Sequence, residues 1–149
     1  MEVARALGAL RDVIVVTNAL NVATELGMHR DISVTVTGGA VRPVSLELSG
    51  PIAERTLEDY NIDIAFVGAD GVDVKAGVTK HNEAEARTNR ALITRAHRVV
   101  VVVDRSKLGE VRFAKICDLA TVDLLITDSG APPEAFEALA PHVPEILLA

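Results

Sequence analysis

The sequence predicts an α/β domain with a mostly parallel sheet flanked by helices, and three observations carry that expectation. Apolar segments of strand length alternate with stretches whose apolar residues recur at helical spacing, the order expected of βαβ units. The valine run 99–103 is a block of β-branched residues, the pattern of a strand buried on both faces in a helix-covered parallel sheet. Directly behind it stands Asp104-Arg105-Ser106-Lys107-Leu108-Gly109. A parallel strand delivers such a segment to the carboxyl edge of its sheet, where open α/β folds bind ligands.

The elements come in order along the chain. Val3, Ala6, Leu7 and Leu10 form a helical stripe with no cap and no strand before it. In an alternating fold a helix joins two strands, so either the domain starts with a helix by design or, the favoured expectation, it is truncated by one strand at its amino end. Residues 13–16 read as a strand, followed by Ala19, Val22, Ala23 and Leu26 at i, i+3, i+4, i+7 and a stop at Gly27. Ile32–Val36 is a second strand, and 42–48 reads as a short extra one with Ser45 and Glu47 opposite Val44, Leu46 and Leu48. Pro51 suits a first helical position ahead of Ile52, Ala53, Thr56, Leu57 and Tyr60. Strand 62–67 precedes a helix capped by Asn82, with Glu85 three residues on and a Glu83–Arg87 pair. Strands 98–103 and 124–126, a helix after Pro132-Pro133 reaching Leu139, and strand Glu145–Leu148 complete the pattern.

Bulk properties narrow the class. A chain of 149 residues reads as one domain, 1–149, able to bury roughly 68–70% of its unfolded surface. With 49% hydrophobic residues but only 3% aromatics and no tryptophan, the core must be aliphatic. A net charge of −6 and a pI near 5.2 argue against a nucleic-acid-binding surface here. The single cysteine, Cys117, precludes an internal disulfide, fits a reducing cytoplasm and reads as a small core residue. His29, His81, His97 and His142 lack metal-ligand spacing, so neither metal nor cofactor is expected.

Four strand ends carry small or polar residues. Thr17-Asn18 reads as a helix cap or as ligand contacts beside free helix amides. Thr37-Gly38-Gly39 permits close backbone approach to a ligand or simply turns the chain. Asp70-Gly71 offers a carboxylate to sugar hydroxyls or stabilises its own turn. Lys107 meets an anion or solvates a loop. Each alone is more often structural. Four on one sheet edge predict a polar pocket lined by Thr17, Asn18, Gly38, Gly39, Asp70, Gly71 and Lys107. Asp128 and Ser129 read as a helix cap.

In order along the chain, VVTNAL (15–20), TGGAVRP (37–43), SGPIAE (49–54), DIAFVGADGVD (63–73), AGVT (76–79), DRSKLG (104–109) and LITD (125–128) closely resemble the effector-binding domain of DeoR-type bacterial transcription regulators. That resemblance implies the fold of ribose-5-phosphate isomerase and CoA transferases, here without its first strand. It also implies a cytoplasmic repressor whose sensor binds a phosphorylated sugar and whose DNA contacts come from a winged helix-turn-helix domain absent from this chain. The family's Asp-x-Gly-Thr-Thr loop is absent too. The pocket residues it implicates are the same seven. Two alternatives stand beside the sensor: an oligomerisation module with a vestigial pocket, and a sugar-phosphate isomerase using Asp70, Lys80 and Glu83 or Glu85. Against the isomerase, His81-Asn82-Glu83 replaces the glycine run that comes after its lysine. Self-association is expected from the edge a missing strand would leave.

Overall fold

The valine run forms a strand, and both of its neighbours lie parallel to it. A computed structural model of the protein describes residues 1–149. The chain forms two compact units, Met1–Asp59 and Tyr60–Ala149.

The first unit contains α1 (Glu2–Leu7), β1 (Val13–Thr17), α2 (Leu20–Leu26), β2 (Ile32–Val36), β3 (Ala40–Arg42), β4 (Glu47–Ser49) and α3 (Pro51–Glu58). β1 and β2 pair in parallel with Val13 opposite Ile32 and Thr17 opposite Val36. Ala4, Leu26 and Ile32 are buried together, backed by Leu7, Val15, Val22 and Val34. The expected stripe of α1 is therefore shifted. Ala4 is its buried residue, and Leu10, 52% exposed, lies beyond the helix end, where helical spacing has no meaning. Segment 42–48 is not one strand. β3 and β4 form an antiparallel hairpin with Val41 opposite Leu48, and Leu46 takes a φ of 56° in the turn between them. The reversal puts Val44 in solvent, 88% exposed, although its spacing suggested a strand face. Pro51 does open α3, behind Gly50 at a φ of 94°, and Ala53 and Leu57 are its buried residues.

The second unit holds β5 (Ile62–Gly68), β6 (Gly71–Asp73), β7 (Gly77–Lys80), α4 (Glu83–Thr94), β8 (Ala96–Val102), β9 (Ala114–Cys117), β10 (Leu124–Thr127), α5 (Pro133–Leu139) and β11 (Glu145–Leu148). Its main sheet has the order β11-β10-β8-β5, and every pairing is parallel. This is the helix-flanked parallel sheet the sequence predicts. Val99, Val101 and Val103 pack on one side with Ala65, Val67 and Leu125, and with Ala86 and Ile93 of α4 and Leu139 of α5. Each buried valine, isoleucine or leucine here contributes roughly 1.5–3 kcal/mol before entropy is counted. On the opposite side Val100 is buried, but Ile64 and Phe66 of the edge strand are 47% and 40% exposed.

A second sheet, β6-β7-β9, is antiparallel and is not expected from the sequence pattern. Its strands are three or four residues long and hold Gly71 and Gly77, too short and too glycine-rich for a period-two signal. The β6–β7 turn is set by Asp73 Oδ1, which accepts from the amides of Lys75 and Ala76 at 2.8 and 2.7 Å. Asn82 caps α4 as expected, its Oδ1 accepting from Glu85 N at 3.0 Å. Cys117, partly buried, packs against the core, where burial pushes its thiol up to about 11, as suits an unreactive cysteine. No helix is long and apolar enough to cross a membrane.

Thr127 ends β10 with 3% exposure, and its hydroxyl has no hydrogen-bond partner in the protein. A buried polar atom left in this way costs about 1–3 kcal/mol. Thr127→Val keeps the shape and removes the hydroxyl, so it should raise stability by about 1 kcal/mol, read as a higher urea midpoint. A lowered midpoint with an unchanged slope would show that the hydroxyl finds a partner in solution.

Candidate functional site

In the first unit the two parallel strands end level, so their tails leave side by side. Thr17 closes β1, and its Oγ1 accepts from Ala19 N at 3.1 Å. The expected cap is corrected: the N-cap residue of α2 is Ala19, which makes no side-chain cap, because the turn around Thr17 delays the helix to Leu20. Asn18 is stitched to the hairpin. Its Nδ2 donates to Leu48 O at 3.2 Å and its carbonyl accepts from Leu48 N at 2.7 Å. At the end of β2, Thr37 N donates to Thr17 O at 3.0 Å. Gly38 and Gly39 come next with φ of 73° and 115°, and a Cβ on Gly39 would sit 2.7 Å from Ser49 O. Chain geometry alone therefore demands glycine at 39.

In the second unit the registers put Gly68, Val102 and Ile126 level across three strands. The segments leaving these strands therefore collect at one carboxyl edge. After β5, Asp70 N donates to Thr79 O at 2.9 Å, and Asp70 Oδ2 accepts from His81 N at 3.0 Å. Its carboxylate thus braces the end of β7 and not its own turn. Gly71 must be glycine, since a Cβ would lie 2.3 Å from Glu110 O and 2.7 Å from Thr79 Oγ1.

After β8, Asp104 opens a 3-10 turn, Arg105–Lys107, and its Oδ1 accepts from Ser106 N at 2.9 Å. Leu108 then forms a bridge with Val72, and Gly109 N donates to Val72 O at 2.8 Å. This joins the Lys107 loop to the strand that begins with Gly71. After β10, Asp128 Oδ2 accepts from Arg105 N at 2.7 Å, while Oδ1 accepts from Gly130 N at 3.1 Å and pairs with Arg105 Nη1 at 3.3 Å. The reading of Asp128 and Ser129 as a helix cap is therefore corrected. α5 starts at Pro133 behind Pro132, and Asp128 instead anchors the loop of the neighbouring strand.

The carboxylates here are held anionic. The Ser106 hydroxyl and amide lower Asp104 below the ordinary carboxylate value, and the Arg105 amide does so for Asp128. Of the loop's cations, Arg105 pairs with Asp128 and Arg112 with Glu110. Lys107, half-buried, takes part in no ion pair. Carboxylates beside an unpaired ammonium suit a ligand that carries both hydroxyls and an anionic group.

The seven residues named from sequence thus fall into two groups, Thr17, Asn18, Gly38 and Gly39 in the first unit and Asp70, Gly71 and Lys107 in the second, and the single sheet edge expected from sequence is corrected because β1 and β2 pair only with each other. Sequence reasoning missed Thr79 and Arg112, which lie outside any strand-end cluster. It also missed the interior placement of Lys80 and Glu85, whose Nζ and Oε2 stand 3.4 Å apart at 6% and 2% side-chain exposure. No group of three or more His, Cys, Asp or Glu side chains is placed to hold a metal ion.

Comparison with known proteins bears on this arrangement. Residues 1–129 match the family described as DeoR C terminal sensor domain. The chain is 38% identical over 147 residues to a putative aga operon transcriptional repressor of Escherichia coli O157:H7, covering 99% of this chain and 55% of that one. It is 38% identical over 139 residues to the HTH-type transcriptional regulator GlpR of Haloferax volcanii, covering 93% and 54%. It is 32% identical over 131 residues to the glycerol-3-phosphate regulon repressor of Escherichia coli K12, covering 86% and 51%. The chain spans about half the length of these relatives.

The anchored carboxylates make a pH prediction. Asp104 and Asp128 have folded values below the unfolded one of about 3.9, so the folded state binds fewer protons near that pH. Their stabilisation is present above about pH 4 and is lost as pH falls through the folded values. Asp128→Asn should melt below the parent at pH 7, with the gap closing by about pH 2. A gap of equal size at both pH values would show that the carboxylate charge is not what anchors Arg105.

Proposed function

Because the chain belongs to the DeoR C-terminal sensor domain family, we propose that it senses a phosphorylated sugar for a transcriptional repressor, with DNA bound through a separate winged-helix domain. One observation supports the ligand class most directly. Lys107 stands unpaired on a loop pinned to Asp128 on one side and to Val72 on the other, in a unit where Asp70 supplies a carboxylate. A loop backbone already ordered by the fold presents this lysine to a phosphate with less ordering left to do on binding. The name of one relative, a glycerol-3-phosphate regulon repressor, fits a phosphorylated polyol. Thr17, Asn18, Gly38 and Gly39, at the strand ends of the first unit, are proposed as ligand contacts of that unit. A cytoplasmic setting goes with it.

The enzymatic alternative draws less support. Lys80 and Glu85 face one another in the interior, and the relatives are named as regulators or repressors. We assign these two residues a structural role.

Lys107 carries the test. Ligand at about 100 times its dissociation constant adds about 2.7 kcal/mol, so a matching sugar phosphate should raise the melting temperature of the chain by roughly 5–10 °C. Lys107→Ala should lose most of that rise while its unliganded melt stays close to the parent's. Equal rises in variant and parent would remove Lys107 from the site.

Self-association is the remaining part of the proposal. Strand β5 is an edge of the parallel sheet and carries Ile64 and Phe66 exposed on one face. Exposed edges and apolar strips invite pairing with another copy. Light scattering should find a mass above one chain that falls on dilution. A constant monomer mass would end this part of the reading.

A further inference from the structure

We propose that Gly68 determines what the sensing site admits, because its bare Cα lets the carbon skeleton of a phosphorylated ligand lie against the end of β5. The proposal rests on the sensor reading and extends it to a residue outside the seven.

Glycine is unfavourable in a strand, since it loses the most backbone freedom on folding and has no side chain to pack. Where it occurs, it marks a bulge, a bend, or a place that a ligand or another backbone approaches closely. Every other glycine of this chain has a reason within the chain, either a positive φ or a Cβ position under 3.0 Å from another atom. Gly68 has neither, and a Cβ built on it would meet nothing within 4 Å. There is no bulge, because β5 and β8 stay in register from Ile64 opposite Arg98 through Gly68 opposite Val102. The fold itself does not ask for glycine here.

The registers place Gly68 at the carboxyl edge of the sheet. It ends β5 level with Val102 and Ile126, and Asp70 follows it by two residues. Val102 leads by two residues to Asp104, which opens the turn that carries Lys107. Alternation puts Gly68 on the face of Ile64 and Phe66, opposite the buried Ala65 and Val67. A partner laid over that face would meet the exposed Ile64 and Phe66 side chains first. A strand added to the edge of β5 would lie in the plane of the sheet, clear of any Cβ. Neither association needs a bare Cα at 68. A small ligand does, with its phosphate towards Lys107 and its skeleton over Gly68.

Gly68→Ala and Gly68→Val test this in the 149-residue chain, by melting without ligand and by calorimetric titration. The probes are inorganic phosphate, ribose 5-phosphate, glucosamine 6-phosphate and glycerol 3-phosphate. Without ligand, Gly68→Ala should melt no lower than the parent. Its affinity for the sugar and polyol phosphates that the parent binds should fall roughly 5- to 100-fold, and that of Gly68→Val further. Inorganic phosphate has no skeleton to displace and should bind parent and variants alike. A lower unliganded melt of Gly68→Ala would give the glycine a structural reason and overturn the proposal. An equal loss for inorganic phosphate would overturn the contact with the skeleton. A smaller mass of Gly68→Ala in light scattering would assign the position to contact between copies and overturn it as a ligand position. Equal affinities in parent and both variants would remove Gly68 from the site and leave the sensor reading intact. No binding of any phosphorylated probe by the parent would overturn the ligand class and this inference with it.

Discussion

The register of β8 between β5 and β10 is the constraint on which the rest of the second unit depends. Side chains alternate along a strand, so a slip of one residue would exchange Val99, Val101 and Val103 for Val100 and Val102 on the packed face. The packed face meets α4 and α5 and cannot accept that exchange without losing its core contacts. The register in turn sets Gly68, Val102 and Ile126 level, and only then do Asp70, Asp104 and Asp128 emerge at one edge. Aliphatic packing here decides where the polar chemistry is placed.

Holding that chemistry still requires polar contacts of its own. Ordering the backbone of a loop costs about 1–2 kcal/mol per residue, and the segment from Asp104 to Gly109 has little apolar surface to offset it. It is fixed by the Asp128 carboxylate at Arg105, by the Asp104 carboxylate at Ser106, and by Val72 at Leu108 and Gly109. Thr79 Oγ1 extends the brace by joining Gly71 to Arg112. Asp70, Asp104 and Asp128 are thus occupied in part with scaffolding. That occupation explains why these positions are acidic even before any ligand is considered.

Much of the fold was legible because its signals are local. The valine run, the Asn82 cap with Glu85 and the Pro51 helix start each depend on neighbours within a few residues, and each recurs in the structure. The failures have a common physical origin in tertiary contacts. Asp128 looked like a cap because its neighbours in sequence suggest one, whereas its partner Arg105 is brought by a parallel strand pairing. Segment 42–48 kept the alternation of a strand while a left-handed Leu46 reversed it. Gly71 was legible as a glycine of interest, but its reason is the carbonyl of Glu110, far along the chain. Arg112 was not legible at all, since its contact with Thr79 is a property of packing and not of spacing.

The charge arrangement at this edge limits how a ligand can act. Arg105 is paired with Asp128 and Arg112 with Glu110, so the cation of this loop that stands outside an ion pair is Lys107. In the proposed sensor, a phosphorylated sugar would match that charge through charge-assisted hydrogen bonds, and a neutral sugar would leave it unmatched. Binding biases a protein between two states only through a difference in affinity for them. The loop backbone is tied to Asp128, behind β10, and to β6, so it has little freedom to move alone. In the proposed sensor, the same bonds that order this loop would carry a difference in occupancy to the two sheets that hold it.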